Sequence, residues 1–310
     1  MTEVMVVSGF LGAGKTTFIN RYLECGLAGR RCLLIENDFG EAGVDAALIG
    51  RADGLVVSEI SAGCVCCSLA GNLQTFIREA LKEIKPDRVI LEPSGVARLS
   101  GILRSLEPFE AEGLIRLQAP VTVLGPPRTR AYLSRFGGIL RDQMEHAGVL
   151  VLRPGTDPAA YAALPQGTPL FNRDWTRENF EDSLMPLLCG GRWKTEHMLA
   201  APAGDLFRAG MVYYTLRPEA TYTQVQAEEI LRRLRRVLGG RLLRLKGFLP
   251  RAGGGLWHVE YTVNGQEVRE FSGSQSAGLN AVGTGLEREQ LERLLRIEPE
   301  TTKIRVRWDI

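Results

Sequence analysis

A glycine-rich loop near the amino terminus constrains the fold of this chain more than any other feature. Residues 9–16 read GFLGAGKT and match the pattern G-x-x-x-x-G-K-[ST]. The loop follows the apolar run 4–7 and precedes a segment whose apolar residues have helical spacing. In such a strand–loop–helix unit, consecutive backbone N–H groups surround an anion, and the helix adds its positive end. We therefore predict that phosphates are bound here. The residues expected to bind phosphate are Gly12, Ala13, Gly14, Lys15, Thr16 and Thr17.

Two of these residues have specific predicted roles. The Lys15 side chain would reach the β and γ phosphates, and the Thr16 hydroxyl would ligate Mg²⁺. A glycine-rich turn with an incidental lysine is the alternative, but the flanking strand and helix favour the phosphate loop.

Further apolar runs predict the sheet that carries this loop. They are short, apolar on both faces and separated by helical segments, which is typical of a parallel sheet covered by helices. The predicted strands are 32–35, 55–57, 89–91, 121–124, 149–152 and 169–171, and the predicted helices are 72–84 and 133–145. The sequence thus predicts an α/β P-loop domain with a mostly parallel sheet over residues 1–190.

Beyond residue 190 the pattern changes. Residues 191–204 lack periodicity and are predicted to be a linker, and residues 205–310 are predicted to be a small α+β domain. Asn264-Gly265 is expected to form a tight hairpin turn, and Val225 and Val237 are expected on the apolar face of a helix. The predicted strands are 212–215, 242–249, 257–263, 266–271 and 304–308, and the predicted helices are 222–238 and 287–295.

Composition and charge exclude several classes of protein. Thirty-eight Lys and Arg residues against 36 Asp and Glu give a net charge of +2, which argues against a dedicated nucleic-acid binder. There is no apolar run of the ~18–20 residues needed to cross a bilayer and no secretory signal pattern. The sequence therefore predicts a cytoplasmic chain without a membrane partner.

Acidic residues follow two of the predicted strands. Glu92 comes directly after the apolar run 89–91 and could hold a water of the Mg²⁺ shell, while Gly95 could offer its N–H to the γ-phosphate. The loop 36–45 contains four acidic residues, of which Asp38 and Glu41 are candidates to position an attacking water. Such a loop beside a triphosphate is a candidate switch, and a polar turn with a helix cap is the alternative.

Three of the six cysteines, Cys64, Cys66 and Cys67, lie within four positions. Thiolates suit Zn²⁺, Cu⁺ or iron–sulfur chemistry, and three of them leave a tetrahedral ion one ligand short. Glu41, a water or a partner's side chain could complete the site. A redox-sensing cluster or an accidental buried run of cysteines is the alternative.

Histidine and arginine residues elsewhere are interpreted as structural. His146, His197 and His258 have no metal-pair spacing. The arginines at 232–236 are expected to form a solvated helix face, with recognition of an acidic partner or RNA as the alternative.

Together the segments 9–17, 36–45, 63–68 and 91–97 resemble the CobW-like family of nucleotide-dependent metallochaperones, and residues 244–249 are similar to its small C-terminal domain. The resemblance implies a GTPase in which Lys15 and Thr16 bind phosphate and Mg²⁺. It also implies that Glu92 is the acidic residue after a core strand and that Cys64, Cys66 and Cys67 bind a transition metal such as Zn²⁺.

The base-recognition motif of that family is altered here. Where the family has Asn-Lys-x-Asp, residues 153–157 read RPGTD, so only Asp157, displaced by one position, could contact guanine. Guanine and adenine both remain open. An upstream strand that usually ends in aspartate is followed here by Gly125-Pro126, and the histidine-rich stretch of many relatives is missing.

These observations lead to one main hypothesis. A nucleoside triphosphate, expected to be GTP, and Mg²⁺ order the 36–45 loop and the cysteine loop, and hydrolysis then releases the metal to a client protein. The alternatives are a nucleotide-binding switch or scaffold with redox-sensing cysteines, and a small-molecule kinase. The metal, the client and the oligomeric state are not determined by the sequence.

Overall fold

Two sheets organise the chain in a computed structural model. It describes residues 1–26, 30–36, 55–59, 69–126, 130–161, 164–176, 180–190, 211–262, 265–273 and 275–296. The strands of the first sheet are β1 (Thr2–Ser8), β2 (Cys32–Glu36), β3 (Leu55–Glu59), β4 (Arg88–Glu92), β5 (Ile115–Leu117), β6 (Val121–Leu124), β7 (Val149–Leu152) and β8 (Leu170–Phe171). Its helices are α1 (Lys15–Gly26), α2 (Leu69–Glu83), α3 (Leu99–Ala111), α4 (Arg130–Glu145) and α5 (Met185–Gly190).

The first sheet is parallel throughout, which confirms the predicted α/β class. Its strand order is β3-β2-β4-β1-β6-β7-β8, and β5 also pairs with β1. Since β1 and β4 are neighbours, the loops that follow them leave the same edge of the sheet side by side. Strand β5 and helix α3 were not predicted, and α3 contains Pro108.

Helices cover both faces of this sheet, so its strands are apolar on both sides. One face packs on α1 and the segment after β8, where Phe18, Tyr22, Trp175 and Phe180 are almost fully buried. The other face packs on α2 and α3 through residues such as Leu103. This double coverage explains the continuous apolar runs in the sequence.

The second sheet is antiparallel, with strand order β12-β11-β10-β13-β9. Its strands are β9 (Met211–Leu216), β10 (Leu242–Pro250), β11 (Leu256–Thr262), β12 (Gly265–Phe271) and β13 (Gly278–Thr284), and its helices are α6 (Gln224–Leu238) and α7 (Arg288–Leu295). Strands β11 and β12 pair antiparallel, as predicted, but Gly265, which was expected in the turn, is the first residue of β12 and lies opposite Thr262. Asn264 lies outside the described residues. Residues 191–204 and 304–308 lie outside the described residues.

The apolar face of helix α6 differs from the predicted one. Its buried stripe consists of Ala227, Ile230, Leu231, Leu234 and Leu238, which recur every three to four residues. Val225 and Val237 are 70% and 44% exposed, so placing them on the apolar face was wrong. Their positions fall outside the stripe that faces the sheet.

Strand β13 was also missed by the sequence analysis, although it lies between β10 and β9. Its sequence, GLNAVGT, is rich in small residues with low strand propensity. At Gly283 a Cβ atom would lie 2.1 Å from the Arg241 carbonyl oxygen, so close backbone approach requires glycine there.

An apolar cluster joins the two sheets. Phe10, Leu11 and Val96, which follow β1 and β4, pack with Leu243 and Val282 of the second sheet. The second sheet therefore contacts the edge of the first at which the phosphate loop lies.

Candidate functional site

The loop after β1 has the conformation that its sequence predicts. It turns directly into α1 at Lys15, and Gly12 and Gly14 have positive φ angles of 72° and 105°. At Gly9 a Cβ atom would lie 2.4 Å from the Val123 carbonyl oxygen, so only glycine fits at the start of the loop. The first backbone N–H groups of an α-helix have no acceptor within the helix, so the start of α1 is suited to an anion.

Strand order brings Lys15 and Glu92 together. The Lys15 Nζ atom lies 3.7 Å from Glu92 Oε1, and the two side chains are only 5% and 9% exposed. Two opposite charges removed from water attract each other strongly, since the effective dielectric constant is low there. A positive charge buried beside the phosphate loop is suited to a polyphosphate.

A second carboxylate lies next to this pair. Glu36 aligns with Glu92 across β2 and β4 and is 2% exposed. Glu36 was predicted to lie in the following loop, whereas in the structure it is the last residue of β2. Because Mg²⁺ prefers oxygen ligands and few carboxylates, Thr16 and Glu92, which line one cleft, fit this ion.

A cleft of about 630 Å³ opens above the loop. Most of the predicted phosphate residues line it, namely Gly12, Gly14, Lys15, Thr16, Thr17 and Glu92. Ala13 and Gly95 are buried and are not among the residues that line the cleft. A Cβ atom on Gly95 would be 2.6 Å from the Leu11 amide nitrogen, so the loops after β1 and β4 are in direct contact.

The remaining predicted site residues are either exposed or outside the part of the chain that the structure describes. Asp157 is exposed, and its Oδ1 atom accepts a hydrogen bond of 2.9 Å from the Ala159 N–H, capping a short 3₁₀ turn. Asp38, Glu41, Cys64, Cys66 and Cys67 lie outside the described residues. Within the described ranges, no group of three His, Cys, Asp or Glu side chains could hold a metal ion.

Two cysteines with described side chains are unsuited to metal binding. Burial raises the pKa of the Cys32 thiol to about 12 and that of Cys25 to about 11, where a hydrogen bond with Glu181 adds to the effect. Thiolates rather than thiols bind metals, so both groups are in the wrong protonation state at neutral pH.

Near the ends of β7 and β8, the cleft is lined by residues other than those of the family's base-recognition motif. Arg153 and Thr176 line the cleft there. The neighbouring Trp175 is buried and donates from Nε1 to the Leu152 carbonyl oxygen over 2.7 Å. Gly125, which stands where an aspartate was expected, packs so closely that a Cβ atom would lie 3.2 Å from Ala13 Cα.

The wall opposite the phosphate loop was not predicted from the sequence. It comes from the second sheet, and among the side chains that form it are Arg244, Lys246, His258, Glu260 and Arg269. Arg244 and Lys246 are 9% and 3% exposed. Two cations at alternate positions of an otherwise apolar strand could have been recognised in the sequence, because every second residue of a strand lies on the same face.

His258 has an unusual environment in this wall. Its Nδ1 atom accepts a 3.1 Å hydrogen bond from Arg269 Nε, and the side chain is 1% exposed. Burial first, and then the charges of Lys246 and Arg269, lower the pKa of His258 to about 3. The ring is therefore neutral at physiological pH, with its proton on Nε2.

The parallel strand order, the loop conformation and the buried lysine define a P-loop nucleotide-binding protein. A family model described as CobW/HypB/UreG, nucleotide-binding domain matches residues 3–164, which is more than half of the chain. The chain belongs to this family, as its loop and cysteine motifs predicted.

Curated relatives match parts of this chain. The zinc chaperone YeiR of Escherichia coli is 33% identical over 166 residues, which cover 53% of this chain and 50% of that protein. The zinc chaperone CobW of Pseudomonas aeruginosa is 31% identical over 138 residues, covering 41% and 36%. The zinc-regulated GTPase metalloprotein activator 1 of Dictyostelium discoideum is 33% identical over 124 residues, covering 36% and 26%. The chain thus spans half or less of the length of these relatives.

A solved structure of Zn(II)-bound YjiA GTPase from E. coli is 19% identical, covers 96% of this chain and 99% of that one, and has a TM-score of 0.42.

No helix in the described part of the chain is long and apolar enough to span a membrane.

Proposed function

We propose that this chain is a nucleoside-triphosphate-hydrolysing metallochaperone that binds a transition metal through Cys64, Cys66 and Cys67 and delivers it to a client protein. The observation that carries the nucleotide half is the buried Lys15–Glu92 pair, 3.7 Å apart, at the mouth of the phosphate loop. Family membership and the zinc chaperones and zinc-regulated GTPase among its relatives support the metal half.

In this proposal the protein contributes positioning and charge. Phosphoryl transfer requires little covalent help, so the Lys15 ammonium and the loop N–H groups stabilise charge on the terminal phosphate. Thr16 and Glu92 would hold Mg²⁺, directly or through water, and the ion supplies further charge neutralisation when bound. Asp38 and Glu41 are the proposed groups for orienting the attacking water.

The metal is the cargo of the reaction. Thiolates of Cys64, Cys66 and Cys67 would bind Zn²⁺ with one position left for a ligand from Glu41, water or the client. An incomplete set of ligands permits transfer, since an incoming client can occupy the open position. The 36–45 loop would link the γ-phosphate to this site.

Base preference is part of the proposal. GTP is the proposed nucleotide because the chain belongs to a family with GTPase relatives. Asp157 is the proposed guanine contact, although in the described structure its Oδ1 accepts from Ala159. Titration with GTP and ATP in parallel decides between the bases, and equal affinities would remove the guanine contact from the proposal.

Calorimetry with matched variants tests the whole proposal. Wild-type protein should bind GTP with Mg²⁺ and bind Zn²⁺ under reducing conditions. Lys15→Ala should lose nucleotide binding and keep Zn²⁺ binding, while the triple variant Cys64→Ser, Cys66→Ser, Cys67→Ser should show the reverse. Cys25→Ser is the matched control, because that protonated thiol should not bind metal. Unchanged Zn²⁺ affinity in the triple variant would refute the metal half.

A further inference from the structure

The second sheet presents one face to the phosphate loop. Cross-strand pairing places Arg244 opposite Thr262, Lys246 opposite Glu260, and His258 opposite Phe248. Directly opposite residues of an antiparallel pair lie on the same face, so these side chains share one surface. The other face, which includes Leu245, packs against α6 and α7.

This surface lies at a defined end of the cleft. Leu243 precedes Arg244, and Val282 pairs with Arg244 across β10 and β13. Both Leu243 and Val282 pack on Phe10 and Leu11 of the phosphate loop. The second sheet is thus anchored beside the loops after β1 and β4, and its side chains line one cleft with Lys15 and Glu92.

The charge on this surface is unusual for its burial. Arg244 and Lys246 are 9% and 3% exposed, and Glu260 Oε1 is 3.5 Å from Arg244 Nε. Over the whole cleft, six Lys and Arg side chains face four Glu side chains. Buried cations are costly unless paired, and a polyphosphate in the cleft would supply several negative charges.

His258 gives independent evidence for a ligand. Its Nδ1 atom accepts a hydrogen bond from Arg269 Nε, and its buried Nε2 atom has no hydrogen-bond partner within the described parts of the chain. The side chain lines the cleft. A buried N–H donor without an acceptor costs free energy, so an anionic oxygen in the cleft would satisfy it.

We propose that Arg244 and Lys246 bind the terminal phosphate of the triphosphate held by the phosphate loop, so that the second sheet distinguishes triphosphate from diphosphate. This inference rests on the proposed nucleotide binding. Its consequence is that loss of the terminal phosphate removes one contact between the second sheet and the loop, while the apolar packing of Leu243 and Val282 on Phe10 and Leu11 remains. His258 contributes a neutral N–H donor to the same group.

The test compares a non-hydrolysable GTP analogue with GDP. In the full chain, Arg244→Gln and Lys246→Gln should each weaken binding of the analogue by about tenfold or more, because each removes a charge-assisted hydrogen bond. Binding of GDP should change by less than about threefold, because the terminal phosphate is absent. Arg244→Lys should recover part of the affinity.

Controls separate this inference from the proposed function and from misfolding. Arg236→Gln is the matched control, since Arg236 is an exposed residue of α6 on the far side of the same sheet, and it should bind both nucleotides like wild type. Thermal unfolding of each variant reports on folding. If wild type binds neither nucleotide, the proposed function itself fails. If wild type binds, Lys15→Ala does not, and the Arg244 and Lys246 variants bind the analogue like wild type or lose both nucleotides equally, this inference alone is overturned.

Discussion

The buried histidine of the second sheet should make the chain less stable in mild acid. Burial, then the charges of Lys246 and Arg269, hold the pKa of His258 at about 3 in the folded chain, against an ordinary value of 6.5. Glu260 opposes this shift and Arg244 adds to it. Between the two pKa values the unfolded chain binds a proton that the folded chain does not. Stability therefore falls as the pH decreases from 6.5 towards 3.

The size of the effect follows from linkage. Each unit of pKa difference corresponds to ~1.4 kcal/mol, so the ceiling is about 5 kcal/mol, reached only near pH 3. Between pH 7 and pH 4.5 the expected loss from this one side chain is about 2–3 kcal/mol. This is a large part of the stability of an ordinary domain.

Urea unfolding without nucleotide, at pH 7, 5.5 and 4.5, measures this loss. His258→Gln and His258→Phe cannot titrate, so both should be less sensitive to acid than wild type by about 2–3 kcal/mol over that range. Arg236→Gln should retain the wild-type dependence. If the histidine variants lose stability with pH as steeply as wild type, the buried neutral ring is not the cause and the reasoning is wrong.

Three further perturbations test the packing around the site. Gly95→Ala should lower the free energy of unfolding by ~1–3 kcal/mol in urea titrations and weaken triphosphate binding in calorimetry. The reason is that the new Cβ atom would lie 2.6 Å from the Leu11 amide nitrogen. Unchanged affinity would show that the loop tolerates the displacement. Glu3→Gln should lower unfolding free energy at pH 7 by ~3 kcal/mol, since it leaves the 4% exposed Arg88 without its carboxylate. Burial raises the pKa of Glu3, but Arg88 and Arg116 lower it overall. The difference in unfolding free energy between wild type and Glu3→Gln should therefore shrink as the pH falls through that lowered pKa. A constant difference from pH 7 to pH 3 would contradict the ion-pair explanation. Trp175→Phe should cost ~1–3 kcal/mol in thermal or urea unfolding by removing the 2.7 Å hydrogen bond to the Leu152 carbonyl oxygen, and wild-type stability would argue against that bond.

The sequence predicted the first sheet well because burial on both faces leaves unambiguous apolar runs. The loop after β1 was predictable from its glycines, lysine and flanking strand. The neighbourhood of Glu92 and Lys15 followed from a general rule for open parallel sheets, although the actual strand order had to come from the structure.

The second half of the site was not predictable by the same reasoning. Strand β13 is built from small residues because backbones approach closely there, which lowers its strand propensity. The alternate spacing of Arg244 and Lys246 indicated that they share one face of β10. The position of that face and the residues that it contacts depend on the contact between the two sheets. Contacts between distant segments of this kind are not encoded in local periodicity.

The proposed coupling between the nucleotide and the metal is tested most directly by one titration. Zn²⁺ affinity is measured by competition with a chromophoric chelator, under reducing conditions, for the full chain saturated with Mg²⁺ and either a non-hydrolysable GTP analogue or GDP. The account predicts affinities that differ by about tenfold or more, an allosteric coupling of ordinary size, and no difference in Lys15→Ala. Equal affinities in the two nucleotide states of wild type would contradict it.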